Sequence, residues 1–296
     1  MAYKCVVLVK QVPDTANITG KAMKEDGTVN RGALPAIFNP EDLNALEMAL
    51  QVKEQHGGTV TVLTMGPPRA SEVLREALYR GADQVILLTD RKFAGSDTLA
   101  TSFALKCAVE KVGQIDLVFC GRQAIDGDTA QVGPQVAEKL GLPQITYAET
   151  IESLEGKEIV VQRAFPLGKE TVKCQLPCLL TVVGSANQPR PASVHRVIAY
   201  KLAATPLEYE GLLEKWPEFE SEEALDRYLA EHNLQIAAWT ADDVGADEEN
   251  LGLSGSPTKV LKIDSVVLET SDSKAVPADQ EGVAQLIQEL AADYIL

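Results

Sequence analysis

The chain has 296 residues, of which 45% are hydrophobic and 24% charged. That is the balance of a soluble globular protein with enough length for one large domain or two smaller ones, and it excludes disorder as the dominant state. The formal net charge of −16 argues against nucleic-acid binding through a basic surface. The longest apolar runs, such as Cys178 to Val183, fall far short of the ~20 residues a membrane span needs.

The charge is unevenly distributed. Residues 1–205 carry 22 basic and 22 acidic side chains, whereas residues 206–296 carry 5 basic and 21 acidic. An acidic segment over 207–249 is expected either to be a solvated surface or to steer a partner. Cys5, Cys107, Cys120, Cys174 and Cys178 are an odd set in mostly apolar runs, which reads as free thiols in a reducing, cytoplasmic setting. With His56, His195 and His232 scattered, they make no zinc pattern, and no metal site is expected. The N-terminus enters a strand-like run within three residues, so no signal peptide is expected.

Taken in chain order, β-branched apolar runs at Lys4–Val12, Thr59–Met65, Gln84–Leu88 and Leu117–Cys120 predict buried parallel strands. Helices are predicted between them. Asn39 is a candidate N-cap with Pro40 at the first helical position and Glu41 and Asp42 behind it. Pro68 opens a second helix, Ser96 or Asp97 caps a third, and Thr129 begins a fourth that ends at Gly141-Leu142-Pro143. The alternation predicts a doubly wound, mostly parallel α/β sheet of Rossmann-like, adenine-nucleotide-binding type. Over 145–183, Glu155-Gly156-Lys157 reads as a hairpin turn between Ile145–Ile151 and Glu158–Arg163. With Thr171–Cys174 and Leu179–Val183 this predicts an antiparallel extension of the sheet. The division expected is a nucleotide- or flavin-binding domain over 1–184 and an extended acidic C-terminal arm over 185–296. That arm, ending in a helix over Gly282–Tyr294, lacks a core of its own and is expected to lie on a partner chain.

In a doubly wound sheet, ligands bind outside the carboxyl ends of the strands. The loops there are Gln11 to Asp14 after the first strand and Met65-Gly66-Pro67-Pro68 after the second. Thr89 to Thr98 follows the third, and Gly121 to Pro134 the fourth. The last two are long and rich in Gly, Ser, Thr and Asp. Small residues admit a ligand close to the backbone, and free N–H groups at a helix start favour phosphate. Two such starts, Ser96 to Ala100 and Thr129 to Gly133, are suited to the two phosphates of a dinucleotide. Ordinary helix capping explains either loop alone. Neither G-x-G-x-x-G nor the P-loop pattern occurs. Ser96 lacks a nucleophile elbow, Asp126 and Asp128 read as capping acids, and no catalytic acid, base or nucleophile is expected.

At these loops the sequence resembles the β subunit of electron-transfer flavoproteins. Gly121 to Gly133 resembles that family's nucleotide-binding signature. Lys10-Gln11-Val12-Pro13-Asp14, Asn39-Pro40 and Leu179-Leu180-Thr181-Val182 extend the likeness, which covers residues 3–200 well and the arm more loosely. One kind of relative keeps a structural AMP in this subunit. The other holds FAD in that place and bifurcates electrons taken from NADH. Thr64 to Pro68, Asp90-Arg91, Phe93 to Ser102, Gly127 to Pro134 and Gly252 to Thr258 are similar to the second kind, and the arm is similar to the Fix-type group. The resemblance implies cofactor contacts at Val12, Pro13, Asp14 and Asn39, at Met65, Gly66 and Pro67, and at Asp90, Gly95, Ser96, Asp97, Thr98 and Thr101. It implies further contacts at Cys120, Gly121, Arg122, Gln123, Asp126, Gly127, Asp128, Thr129, Ala130, Gln131, Val132, Gly133 and Pro134. FAD, or alternatively AMP, is the implied cofactor and NADH the implied donor. An obligate α subunit is the implied partner, with a quinone reductase flavoprotein at the membrane and a ferredoxin-like protein as acceptors. Relatives that dock on acyl-CoA dehydrogenases carry a basic stretch where this chain reads Ala192 to Lys201, which counts against such an acceptor. An adenine-nucleotide-binding regulatory module of the universal-stress kind shares the βαβ layout and is the alternative from another class.

Overall fold

The computed structural model describes residues 1–14, 35–258 and 274–292. At its centre lies β1 (Tyr3–Val9), whose side chains divide strictly by parity. Tyr3, Cys5, Val7 and Val9 enter one apolar core, and Val6 and Leu8 enter the other. A strand that must be apolar on both faces reads as a continuous hydrophobic run, and a parallel sheet covered by helices on both sides is what such runs build. The strand predicted over Lys4–Val12 is divided at Lys10. β2 (Gln11–Pro13) leaves the sheet and pairs antiparallel with β3 (Ala36–Phe38). Part of the chain between those two strands lies outside the described residues.

The other parallel strands are β4 (Gly58–Met65), β5 (Gln84–Leu88), β6 (Leu117–Gly121), the start of β7 (Gln144–Glu155), β10 (Cys178–Val182) and β11 (Ala237–Trp239). Two antiparallel strands, β8 (Glu158–Phe165) and β9 (Gly168–Gln175), complete a nine-stranded sheet in the order β11-β5-β4-β1-β6-β10-β7-β8-β9. α1 (Pro40–His56) and α2 (Ser71–Arg80) pack into the first core, with Leu46, Leu50, Leu74 and Ala77 buried. α3 (Thr98–Val112) and α4 (Val132–Leu140) pack into the second through Ala104, Leu105, Val136 and Ala137.

Several elements differ from the sequence-based expectation, each for a physical reason. Pro68 begins a short 3-10 turn, Pro68–Ala70, and α2 proper starts at Ser71. α4 starts at Val132, not at Thr129, because Asp128 and Ala130 hold positive φ values of 48° and 52°, which a right-handed helix cannot include. β10 is not part of an antiparallel extension. It inserts between β6 and β7, parallel to both. The antiparallel part is β7–β8–β9 alone. β7 makes the change within itself. Tyr147 takes φ +59° and turns its N–H to the Thr181 hydroxyl at 3.2 Å, and beyond it the strand pairs with β8.

The stretch expected as an arm without a core is, as far as Thr258, built onto this domain. α5 (Val194–Tyr200) lies against α2. α6 (Tyr209–Leu213) and α7 (Glu222–Glu231) bring Tyr209, Leu225 and Leu229 into the first core, with Leu234 and Ile236 following. β11 covers the edge of β5, and Ala241, Ala246 and Leu251 join the second core. Leu225 and Leu229 share one helix face at i, i+4, which supplies the apolar stripe that such packing requires. α8 (Gln280–Ala292) is different: among its described residues only Gly282 is buried, and Val283, Leu286 and Ile287 are exposed.

Candidate functional site: two adjoining cavities at the strand carboxyl ends

β1 is followed in space by β4 on one side and by β6 on the other, so the strand order reverses between β1 and β6. A crevice opens at such a reversal because the two following loops diverge to opposite faces. Here it is a cavity of about 420 Å³. Its base is Leu8, Val9 and Lys10 from the end of β1 and Cys120 and Gly121 from the end of β6.

The wall on the α4 side is the loop from Arg122 to Gly133. With Asp128 and Ala130 left-handed and Thr129 between them, the backbone alternates in the manner that turns successive N–H groups inward to form an anion-binding concavity. The N–H groups of Thr129, Ala130, Gln131, Val132 and Gly133 have no hydrogen-bond partner among the described residues. Two of them belong to the first turn of α4, where the helix dipole favours negative charge. Gly127 has open space where a Cβ would stand, and Gly133 has none, since a Cβ there would lie 2.7 Å from Cys120 Sγ. The set fits a phosphate-bearing nucleotide: unpartnered donors, small residues and a left-handed alanine at one rim.

The opposite wall is Phe93 and Gly95–Thr98, with Thr101 and Leu105 from α3. Asp97 caps α3 through Oδ1, which accepts from Leu99 N–H at 2.9 Å and Ala100 N–H at 3.0 Å. Burial works to raise its pKa, but these bonds and those from Thr258 outweigh it and hold the carboxyl below the usual range. Thr98 Oγ1 donates to Gln131 Oε1 at 2.9 Å and joins the two walls. Lys10 Nζ reaches both oxygens of Asp126 at 2.8 Å, tying the end of β1 to the α4-side loop.

Beneath this loop, α1 supplies a polar frame. Asn39 is fully buried. Its side chain does not cap α1 as expected. It donates to Gln123 O at 2.9 Å and accepts from Ile125 N–H at 3.1 Å. Glu41 accepts from Gln123 N–H at 2.9 Å and pairs with Arg122 at 3.1 Å. Asp42, 6% exposed, accepts from Lys10 N–H and Gly121 N–H, both at 2.8 Å. Burial pushes its pKa up to about 7, against the lowering effect of those bonds, of Asn39 and of the Lys10 charge. Burial and the neighbouring Asp42 both push the Cys120 thiol up, so it is not a reactive thiolate.

A second cavity of about 660 Å³ adjoins the first and shares Met65 and Phe93 with it. Gly66, Pro67, Pro68, Thr89, Asp90, Arg91, Ala94 and Leu207 complete its lining. Most of the sequence-predicted residues therefore line one or other of these adjoining cavities, which together form the trough. Val12, Pro13, Asp14, Asn39, Asp126 and Pro134 line neither cavity. Lys10 and Phe93 lie in segments the sequence reading singled out but were not named as contacts, and sequence reasoning missed Asp42 and Leu207. The strand-end position signals Lys10, but nothing local signals Leu207, which arrives from a turn far along the chain. No cluster of His, Cys, Asp or Glu suited to a metal ion occurs among the described residues, and all five cysteines are free.

The sequence matches the model of the Electron transfer flavoprotein domain over residues 26–205. The chain belongs to the electron transfer flavoprotein family. It is 42% identical to the electron transfer flavoprotein subunit beta of Clostridium acetobutylicum, an alignment that covers 97% of this chain and 94% of that protein. It is 41% identical to the protein FixA of Sinorhizobium fredii over 98% and 91% of the two chains. It is 43% identical to the caffeyl-CoA reductase-Etf complex subunit CarD of Acetobacterium woodii over 88% and 86%. Membership in the electron transfer flavoprotein family carries flavin or AMP binding in general, which agrees with the nucleotide-suited trough, and it decides against the universal-stress reading. Among the described residues no helix is long and apolar enough to cross a membrane.

Proposed function

We propose that this chain is the β subunit of a heterodimeric, bifurcating electron transfer flavoprotein of the Fix-type group. In this reading the first cavity holds the ADP half of an FAD, and the second receives its isoalloxazine ring. The complex works in the cytoplasm, takes hydride from NADH, and divides the electrons. One goes to a high-potential acceptor, such as a quinone reductase or dehydrogenase, and the other to a low-potential acceptor of the ferredoxin or flavodoxin kind. The observation that carries the choice of FAD over AMP is the second cavity, which adjoins the first at Met65 and Phe93. A mononucleotide needs only the first. The likeness to FixA and to a subunit of a reductase–Etf complex supports the same choice.

The residues divide the work. The N–H groups of Thr129 to Gly133 bind phosphate, whereas the first turn of α3, already capped by the Asp97 carboxylate, forms the facing wall. Lys10 and Arg122, each paired with a carboxylate (Asp126 and Glu41), are the cations that line the first cavity. Met65, Pro67, Pro68 and Phe93 give an apolar, rigid wall that excludes water. Bound FAD supplies both hydride acceptance and single-electron transfer, chemistry that needs no protein nucleophile. The α subunit is the partner, and the exposed apolar face of α8 lies on it.

The test is a cofactor count. The chain is co-expressed with its α subunit, the complex is denatured, and released FAD and AMP are separated by chromatography. About two FAD and no AMP per heterodimer is the expected result, as two flavin sites require. One FAD with one AMP would make this chain the structural partner in a simple carrier.

A further inference from the structure

The loop from β5 to α3 builds part of both cavities, and beside its own short 3-10 turn over Arg91–Phe93 it is held from outside. Two grips hold it, and both come from residues 240–258. At its start, Asp90 Oδ2 accepts the Ala241 N–H at 3.1 Å, and the Lys92 ammonium lies 2.9 Å from Asp242 and 2.6 Å from Glu248. At its end, the buried Ser256 hydroxyl accepts the Asp97 N–H at 2.8 Å and donates to the Gly252 carbonyl at 2.6 Å. The Thr258 N–H reaches Asp97 Oδ2 at 3.1 Å, and the Gly252 N–H reaches the Ser96 hydroxyl at 3.2 Å. Gly252 sits at φ +54°, and a Cβ there would lie 2.4 Å from the Lys92 carbonyl oxygen. No other residue fits that approach without moving the loop. Leu253 lies over Gly95 so closely that a Cβ on Gly95 would be 2.7 Å from it.

We propose that Gly252 and Ser256 are positioning residues for the cofactor site. They form a clasp that fixes Gly95–Thr98 as the cavity wall, so that cofactor occupancy and closure of the clasp stabilise one another. The inference rests on the reading that FAD fills the trough. If FAD binds the closed loop more tightly than the open one, reciprocity requires that FAD also protect the clasp.

Hydrogen–deuterium exchange on the intact heterodimer, deflavinated and then resupplied with FAD, reads both segments at once. FAD is expected to slow exchange in peptides covering 95–101 and, equally, in those covering 250–258. Slowing in 95–101 alone overturns the clasp and leaves the flavin site standing. Unchanged exchange in both segments overturns the flavin reading and this one with it. Ser256→Ala supplies the second test. Loss of that hydroxyl is expected to cut the FAD-induced protection of 95–101 about 3–10-fold, the effect of one buried hydrogen bond. Wild-type protection in that variant overturns the role of Ser256.

Discussion

Asp42 gives both carboxylate oxygens to backbone N–H groups, one at the end of β1 and one at the end of β6, and so fixes the spacing of the two strands that flank the cavity. Its pKa, raised by burial to about 7, makes this a titrating joint. Between pH ~4 and ~7 the folded chain retains a proton there that the unfolded chain has released, so folding stability from this group falls as pH rises through that window. It is fully present below the ordinary aspartate value and lost above about 7. Asp42→Asn removes the titration. The melting temperature of the natural chain minus that of the variant is therefore expected to decrease from pH 5 to about pH 7 and to level off above it, read by circular dichroism. Parallel curves would show that Asp42 does not titrate there. Its place in the site is only partly legible from the sequence. Asp42 reads as one of two acids at a helix start, and only the fold turns it inward. Ala130 is similar: alanine carries no mark of a left-handed backbone, whereas a glycine there would have.

At the scale of elements, β5 is found over the predicted Gln84–Leu88, because four consecutive apolar residues, Val85 to Leu88, between turn signals leave little choice of register. α4 was less legible. Thr129 and Asp128 have the chemistry of helix caps, but the left-handed residues postpone the helix to Val132, and the freed N–H groups form the concavity instead. α4 also sits close to the sheet, with Gly133 against Cys120 and Thr181. Gly133→Ala is expected to push the helix outward, to destabilise the domain by about 1–3 kcal/mol in urea denaturation, and to loosen nucleotide binding. A variant with unchanged stability would mean that α4 can shift without cost. The strand pattern of Cys178–Val182 was plain, but not its neighbours. Hydrophobic alternation reports which faces are buried and is silent on which strands lie alongside.

Over the whole molecule, the neutral first two-thirds build most of the sheet, while the acidic last third supplies its edge strand, part of both cores and the clasp. The apolar residues of 203–251 were there to be read, yet their short helices and irregular spacing look like an unsupported arm until the sheet edge is known. Two helices lack a cover among the described residues: α5, with Val194 and Ile198 exposed, and α8, with Val283 50% and Ile287 52% exposed. In the heterodimer reading the α8 pair faces the α subunit. Replacing both with Asp is expected to weaken α–β association at least tenfold by analytical ultracentrifugation, since two buried aliphatic side chains contribute about 1.5–3 kcal/mol each. Unchanged association would move the interface elsewhere. The place of β10 has a consequence for biosynthesis. Leu117 and Gln144 leave the ribosome well before Cys178, yet β6 and β7 meet only through the strand that begins there. Until then the nascent chain carries two open interior edges, the kind of edge that pairs with other chains. The middle of the sheet is thus closed from the inside before β11 adds its edge, and a chain halted short of residue 178 is an aggregation hazard instead of a smaller working domain.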